Sequence, residues 1–149
     1  MELPETKLEL DIETYLDDSY ISDRHHKVDI YRRLADARTL DDVERIREEV
    51  IDRFGRMPQS GTNLVEASAV KIAASLLEIE KVRMKKGKAA LQFAEGRMLT
   101  RHQIETFRKA TDCPLEFSVV GQATIFLDLG QVHADQRLSY LRGVLSKVS

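Results

Sequence analysis

The spacing of apolar residues along this chain changes several times, and each change marks an element. Lys7-Leu8-Glu9-Leu10-Asp11-Ile12 alternates polar and apolar side chains, the period-two pattern of a half-buried strand. Asp17-Asp18-Ser19 predicts a turn, with Tyr20 and Ile21 as apolar anchors beyond it. Ser22 or Asp23 is placed to cap a first helix running through Val28, Tyr31, Leu34 and Ala35, four positions expected on one face. The second helix, residues 40–54, has the clearest pattern. Thr39 and Asp42 make a capping-box pair, with Asp in place of the usual Glu or Gln. Val43, Ile46, Val50 and Phe54 then recur at three- and four-residue steps as one core-facing stripe. Gly55 is expected to supply a left-handed residue at the helix end, and Pro58 prevents continuation.

A third helix is predicted from about Thr62 to Leu77, with Leu64, Val65, Ala69, Ile72, Ala73 and Leu76 inward and its alanines permitting close approach. Ile79-Val82-Met84 and Ala89-Leu91-Phe93 then read as two strands around Lys85-Lys86-Gly87, a hairpin turn. Thr100 and Gln103 open a short helix through Ile104, Phe107 and Ala110, which Cys113-Pro114 ends. Two further strands, Leu115–Val120 and Ala123–Leu129, join at Gly121-Gln122. The last helix begins near Ala134 and carries Leu138, Leu141, Leu145 and Val148. The order predicts an α+β fold: N-terminal helices packed with a small mixed or antiparallel sheet, further strands and a C-terminal helix. Residues 1–149 are expected to form a single domain, with a helix-rich lobe over 1–78 and a lobe of hairpins and helices over 79–149.

Composition narrows the class. Apolar residues form 42% of the chain and charged ones 32%, a globular balance. No apolar run approaches the roughly 20 residues of a membrane span. Glu2-Leu3-Pro4-Glu5 has neither the basic nor the apolar region of an export signal, and the single cysteine, Cys113, excludes an internal disulfide. Together these point to a reducing, cytoplasmic setting. The net charge of −2 is unevenly spread: residues 1–74 hold 11 Lys/Arg against 17 Asp/Glu, and residues 75–149 hold 12 against 8. Phosphate binding is disfavoured in the first half and left open in the second.

Candidate chemistry is sparse. The seven glycines are scattered, so neither phosphate-cradling glycine motif is present. His25 and His26 are adjacent on a helix, point about 100° apart and cannot share one metal ion. His102 and His133 stand apart from any Cys or carboxylate cluster. Cys113 has no local base and reads as structural, and Asp17-Asp18 and Asp41-Asp42 sit where carboxylates cap helices and turns. No catalytic, metal or cofactor residue is assigned. Two charged groups remain. Lys81, Arg83, Lys85, Lys86 and Lys88 place five cations within eight residues of a strand–turn–strand, without an interleaved aromatic. They read as a solvated strand face, as phosphate contacts of a small nucleic-acid-binding module helped by Arg97 and Arg101, or as a protein contact. Glu49, Asp52 and Arg53 flank the apolar stripe of the second helix at i, i+3, i+4. Spacing alone allows a solvated Glu49–Arg53 pair or a charge pattern presented to a partner.

Three segments carry a resemblance: Asp17-Asp18-Ser19-Tyr20-Ile21, Ile30-Tyr31-Arg32-Arg33-Leu34-Ala35 and Glu49-Val50-Ile51-Asp52-Arg53-Phe54-Gly55-Arg56-Met57-Pro58. The last resembles the E-x-x-D-R-F-G-x-x-P signature of the C-terminal (TRCF) domain of the bacterial transcription-repair coupling factor (Mfd). The likeness is specific from about residue 8 to residue 80 and looser beyond. Members of that family are large ATP-driven DNA translocases that displace stalled RNA polymerase and recruit the excision-repair damage sensor UvrA. The resemblance implies a non-catalytic terminal domain; ATP and magnesium belong to motor domains absent from this sequence. It further implies docking onto the UvrB-like N-terminal module of the same polypeptide, hiding its UvrA-binding surface. Carried over by motif, Glu49, Asp52 and Arg53 are the partner-binding residues.

Overall fold

A computed structural model describes residues 2–149. Its framework is a five-stranded sheet: β1 (Lys7–Leu10), β2 (Ile79–Lys85), β3 (Lys88–Phe93), β4 (Leu115–Ser118) and β5 (Thr124–Asp128), ordered β1-β2-β3-β5-β4. β1 runs parallel to β2 and the other pairings are antiparallel, so the sheet is mixed. The strand from the helix-rich N-terminal part thus lies in the sheet of the C-terminal part. Five α-helices accompany it: α1 (Arg24–Asp36), α2 (Leu40–Phe54), α3 (Gln59–Leu76), α4 (Arg101–Ala110) and α5 (Arg137–Val148), with a 3-10 turn over Ala134–Gln136.

Local chemistry sets these boundaries. Thr39 Oγ1 accepts from the Asp42 amide and the Asp42 carboxylate accepts from the Thr39 amide, both at 3.1 Å, so the capping box forms with Asp in the Glu position. Thr100 and Gln103 make the same reciprocal pair at α4. The β2–β3 turn is tight because Lys86 and Gly87 both take positive φ, 51° and 77°, as a type I′ turn requires. Gly55 ends α2 at φ 86°, ψ −168°. Its φ is positive as expected, but its ψ leaves the left-handed helical region for one open essentially to glycine alone.

Two apolar clusters meet along α3. One joins the sheet to α3, α4 and α5 through Val82, Leu91, Ile125, Leu127, Phe107, Leu141 and their neighbours. The other joins α1, α2 and α3 through Ile21, Ile30, Leu34, Val43, Ile46, Val50 and Val65. Because α3 is sandwiched, it buries a wide arc that includes Gly61, Asn63, Glu66, Ala67, Val70 and Ala74, and leaves a narrow, partly exposed strip along Ser60, Leu64, Ser68, Lys71 and Ser75. This corrects the expected single inward stripe. α3 also begins three residues earlier than predicted, and Leu76 is 54% exposed beyond the last packed turn. In α1 the buried pair is Ile30 and Leu34, whereas Val28 and Tyr31 are exposed. Tyr31 instead lies over the preceding loop, where its phenolic oxygen accepts from the Leu16 amide at 2.8 Å. No helix among the described residues is long and apolar enough to cross a membrane.

Candidate docking surface

The helix carrying the signature residues is fixed in rotation from two sides. Val43, Ile46 and Val50 are buried against α1 and α3. On the adjoining flank Arg47 and Glu44 enter an ionic network: Arg47 pairs with Glu66 of α3, and Arg142 of α5 bridges Glu44 at 2.8 Å and Glu66 at 3.2 Å. At about 100° per residue, Glu49, Arg53 and Asp52 then occupy one arc of about 100° on the opposite flank. All three are exposed.

Their immediate contacts differ from the simple spacing argument. Glu49 does not pair with Arg53; it pairs with Arg33 of α1, across the helix–helix groove. Arg53 turns toward the end of α2, with its guanidinium 5.0 Å from the Phe54 ring centroid and 3.4 Å from His26 Nε2. Helix packing brings α1 alongside α2, so an inter-helix partner displaces the i, i+4 one. Phe54 is the hub of this corner. Tyr20 meets it edge-on at 6.3 Å, and His26 lies tilted against it at 5.6 Å. Tyr20 donates to the Gly55 carbonyl at 2.6 Å, and burial pushes its phenol above the ordinary range, keeping it a donor. Asp23 accepts from the His26 and His25 amides, which hold its carboxyl below the usual range and fix the start of α1. The Arg38 and Thr39 amides do the same for Asp42 at the start of α2.

Beside the charged arc, a shallow concavity of about 300 Å³ lies between α1 and α2, lined by Arg33, Asp36, Ala37, Asp42, Arg45 and Ile46. Arg33 is therefore part of this surface. The Arg32-Arg33 motif was the only trace of it in the sequence, because its partner lies on another helix.

The second charged group lies far away, on the sheet face that no helix covers. Arg83 and Lys81 share Glu9 of β1 at 3.0 Å and 3.3 Å, and these two cations hold the Glu9 carboxyl below its usual range. Lys85 and Lys88 stand across the hairpin, and Lys86 sits in its turn, its amide donating to the Asp11 carboxylate at 2.7 Å. The aromatic missing from the local sequence is supplied by β5: Phe126 lies in register with Ala90, which neighbours Arg83. His25 and His26 hold no metal-like arrangement, and no group of three metal-ligating residues occurs among the described residues. Cys113 is half-buried and free, its amide donating to Thr111.

Fold and surface together define an α+β domain built around a central helix, with one charged helix flank held outward. The sequence profile of the TRCF domain matches residues 10–104, and the chain belongs to that family. The match runs past the motif-bearing segment, through β3 and into α4. Among similar proteins, the transcription-repair-coupling factor of Escherichia coli is 32% identical over 91 residues, 61% of this chain. That of Bacillus subtilis is 28% identical over the same length. The chain spans about 8% of the length of each of these relatives. A crystal structure of the C-terminal domain of transcription-repair coupling factor superposes with a TM-score of 0.87 at 26% identity, covering 98% of this chain and 92% of that one.

Proposed function

We propose that this domain is a non-catalytic regulatory module of a transcription-coupled DNA repair translocase. In this reading the α2 flank docks onto the UvrB-like N-terminal module of the same polypeptide and masks its UvrA-binding surface until RNA polymerase is engaged. The observation that carries the reading is the exposure of Glu49, Asp52 and Arg53 on a helix whose other flanks are locked by Val50 and by the Arg47–Glu66 pair. Phe54 holds Arg53 in place, so little side-chain freedom is lost on contact.

The physical logic is a releasable clamp. Charged contacts at a partly desolvated rim contribute about 1–2 kcal/mol each and set specificity. A tether raises the effective concentration of the partner, so a weak contact is enough to keep the surface covered. Removing two such contacts shifts the closed-to-open ratio by roughly tenfold or more. The test is the double substitution Glu49→Ala with Arg53→Ala in the full-length protein, followed by capture of UvrA. Increased capture relative to wild type is expected, with the isolated domain retaining its far-UV circular dichroism. Unchanged capture from a folded double variant would count against this surface.

A further inference from the structure

We infer that the uncovered face of the sheet is a self-complementary interface for a second copy of this chain. The face points away from α3, on the far side of the molecule from the α2 flank, so this is a contact separate from the docking proposed above.

The strand register fixes the pattern. One row crosses all five strands and reads Glu9, Arg83, Ala90, Phe126, Glu116: anion, cation, small residue, aromatic, anion. The next row reads Lys85, Lys88, Asp128. From β2 to β4, positive charge therefore gathers on the β2–β3 side and negative charge on the β5–β4 side, with Phe126 between them, 43% exposed, while Glu9 offsets Arg83 at the β1 edge. Lys85, Lys88, Glu116 and Asp128 form no ion pair among the described residues, although Asp128 accepts from the Gly130 amide at 2.9 Å. Arg83 is shared with Glu9.

A charge pattern split across an apolar centre is what two-fold symmetry needs, because each half must meet the other half of an identical surface. A two-fold axis parallel to the strands, lying between the two sheets and passing between β3 and β5, reverses each row. Arg83 then faces Glu116 of the second copy, Lys88 faces Asp128, and Phe126 packs into the space above Ala90. Aligned sheet packing at about 10 Å separation accommodates this arrangement. Nucleic acid fits the same face less well. Phe126 offers one stacking surface, but Glu116 and Asp128 line its flank and repel a phosphate backbone.

Sedimentation equilibrium of the chain, from micromolar to millimolar concentration at low salt, reads the association directly. A monomer–dimer equilibrium that weakens with salt is expected. Lys88→Glu alone and Asp128→Lys alone each place like charges across the axis and should lower the association constant about tenfold or more. Mixing the two single variants restores opposite charges at both contacts, so a heterodimer of near wild-type affinity is expected, as is a dimer of Lys88→Glu/Asp128→Lys. Circular dichroism confirms that each variant is folded. A wild-type chain that stays monomeric at millimolar concentration overturns the proposal. So does failure of the charge-swapped mixture to associate, or binding of an oligothymidylate in preference to the second copy.

Discussion

Glu66→Ala probes how firmly α2 is held, and the structure sets the size of the effect. The Glu66 side chain is 7% exposed, and its Oε1 accepts from Arg47 of α2 and, at 3.2 Å, from Arg142 of α5. Removing the carboxylate leaves the Arg47 and Arg142 side chains, 19% and 22% exposed, with their guanidinium groups facing each other across the vacated space. Stripping one partner from a buried ion pair costs about 3–5 kcal/mol. Here Glu44 still reaches Arg142 at 2.8 Å and Arg47 at 3.4 Å, which relieves part of the repulsion. The expected loss is therefore near the lower end, about 3 kcal/mol. For a domain of this size that lowers the melting midpoint by about 6–12 °C. Urea unfolding followed by far-UV circular dichroism is the suitable assay, since the chain has no tryptophan. A companion triple variant, Arg47→Met/Glu66→Leu/Arg142→Met, removes the three central charges, leaves the 38% exposed Glu44 to solvent, and should stay within about 1 kcal/mol of wild type. If Glu66→Ala unfolds within about 0.5 kcal/mol of wild type, the network does not hold α2. If the triple variant is as damaged as the single one, side-chain fit rather than charge compensation is what matters there.

Thr39→Ala removes the acceptor for the Asp42 amide and should destabilise by about 1 kcal/mol, read by the same unfolding assay. Gly55→Ala should cost about 1–3 kcal/mol although an added Cβ meets nothing within 4 Å, because the φ of 86° is the obstacle. Substituting Gly55 by Asn, which tolerates left-handed helical backbone but not this ψ, should recover little of that loss in a thermal melt. Asp23 and Asp42 have lowered carboxyl values, held down by backbone amides, so their stabilisation is complete above the ordinary value of 3.8. It fades as pH falls below that value and the folded-state carboxylates take up protons. Acid titration by circular dichroism should therefore show helix loss beginning below about pH 4, and Asp42→Asn should flatten that slope.

The parts of the fold that depend on local chemistry were legible in the sequence. α2 could be read because its cap, stripe and glycine stop agree, and the outward placement of Glu49, Asp52 and Arg53 follows from helical spacing. The alternation Ala123, Ile125, Leu127, Leu129 likewise marks the buried face of β5 and leaves Phe126 outward. What sequence reasoning missed depends on distant partners. Glu66 looks like an ordinary solvent-facing helix residue until Arg142, 76 positions later, is brought against it. α3 buries more than the amphipathic reading allowed because it has two cores to face and only a narrow, half-exposed strip toward solvent. Its end falls at Leu76, one residue from the expected Leu77, but what turns the chain there was hidden: Glu78 takes φ 62° where a glycine would be expected, and the sequence offers no glycine there. The pairing of Glu49 with Arg33 rather than Arg53 and the row from Arg83 to Glu116 arise only from the packing of helices and strands that lie far apart along the chain.

The position of α3 also constrains how any regulated contact made by this domain can be undone. A helix that serves as a wall for both halves leaves no internal joint: swinging α1 and α2 away from the strands would strip apolar surface from α3 on one side or the other. Detachment from a partner must therefore be a movement of the whole body. For the clamp proposed above, this places release in a movement of the domain as a unit rather than in a change of shape inside it.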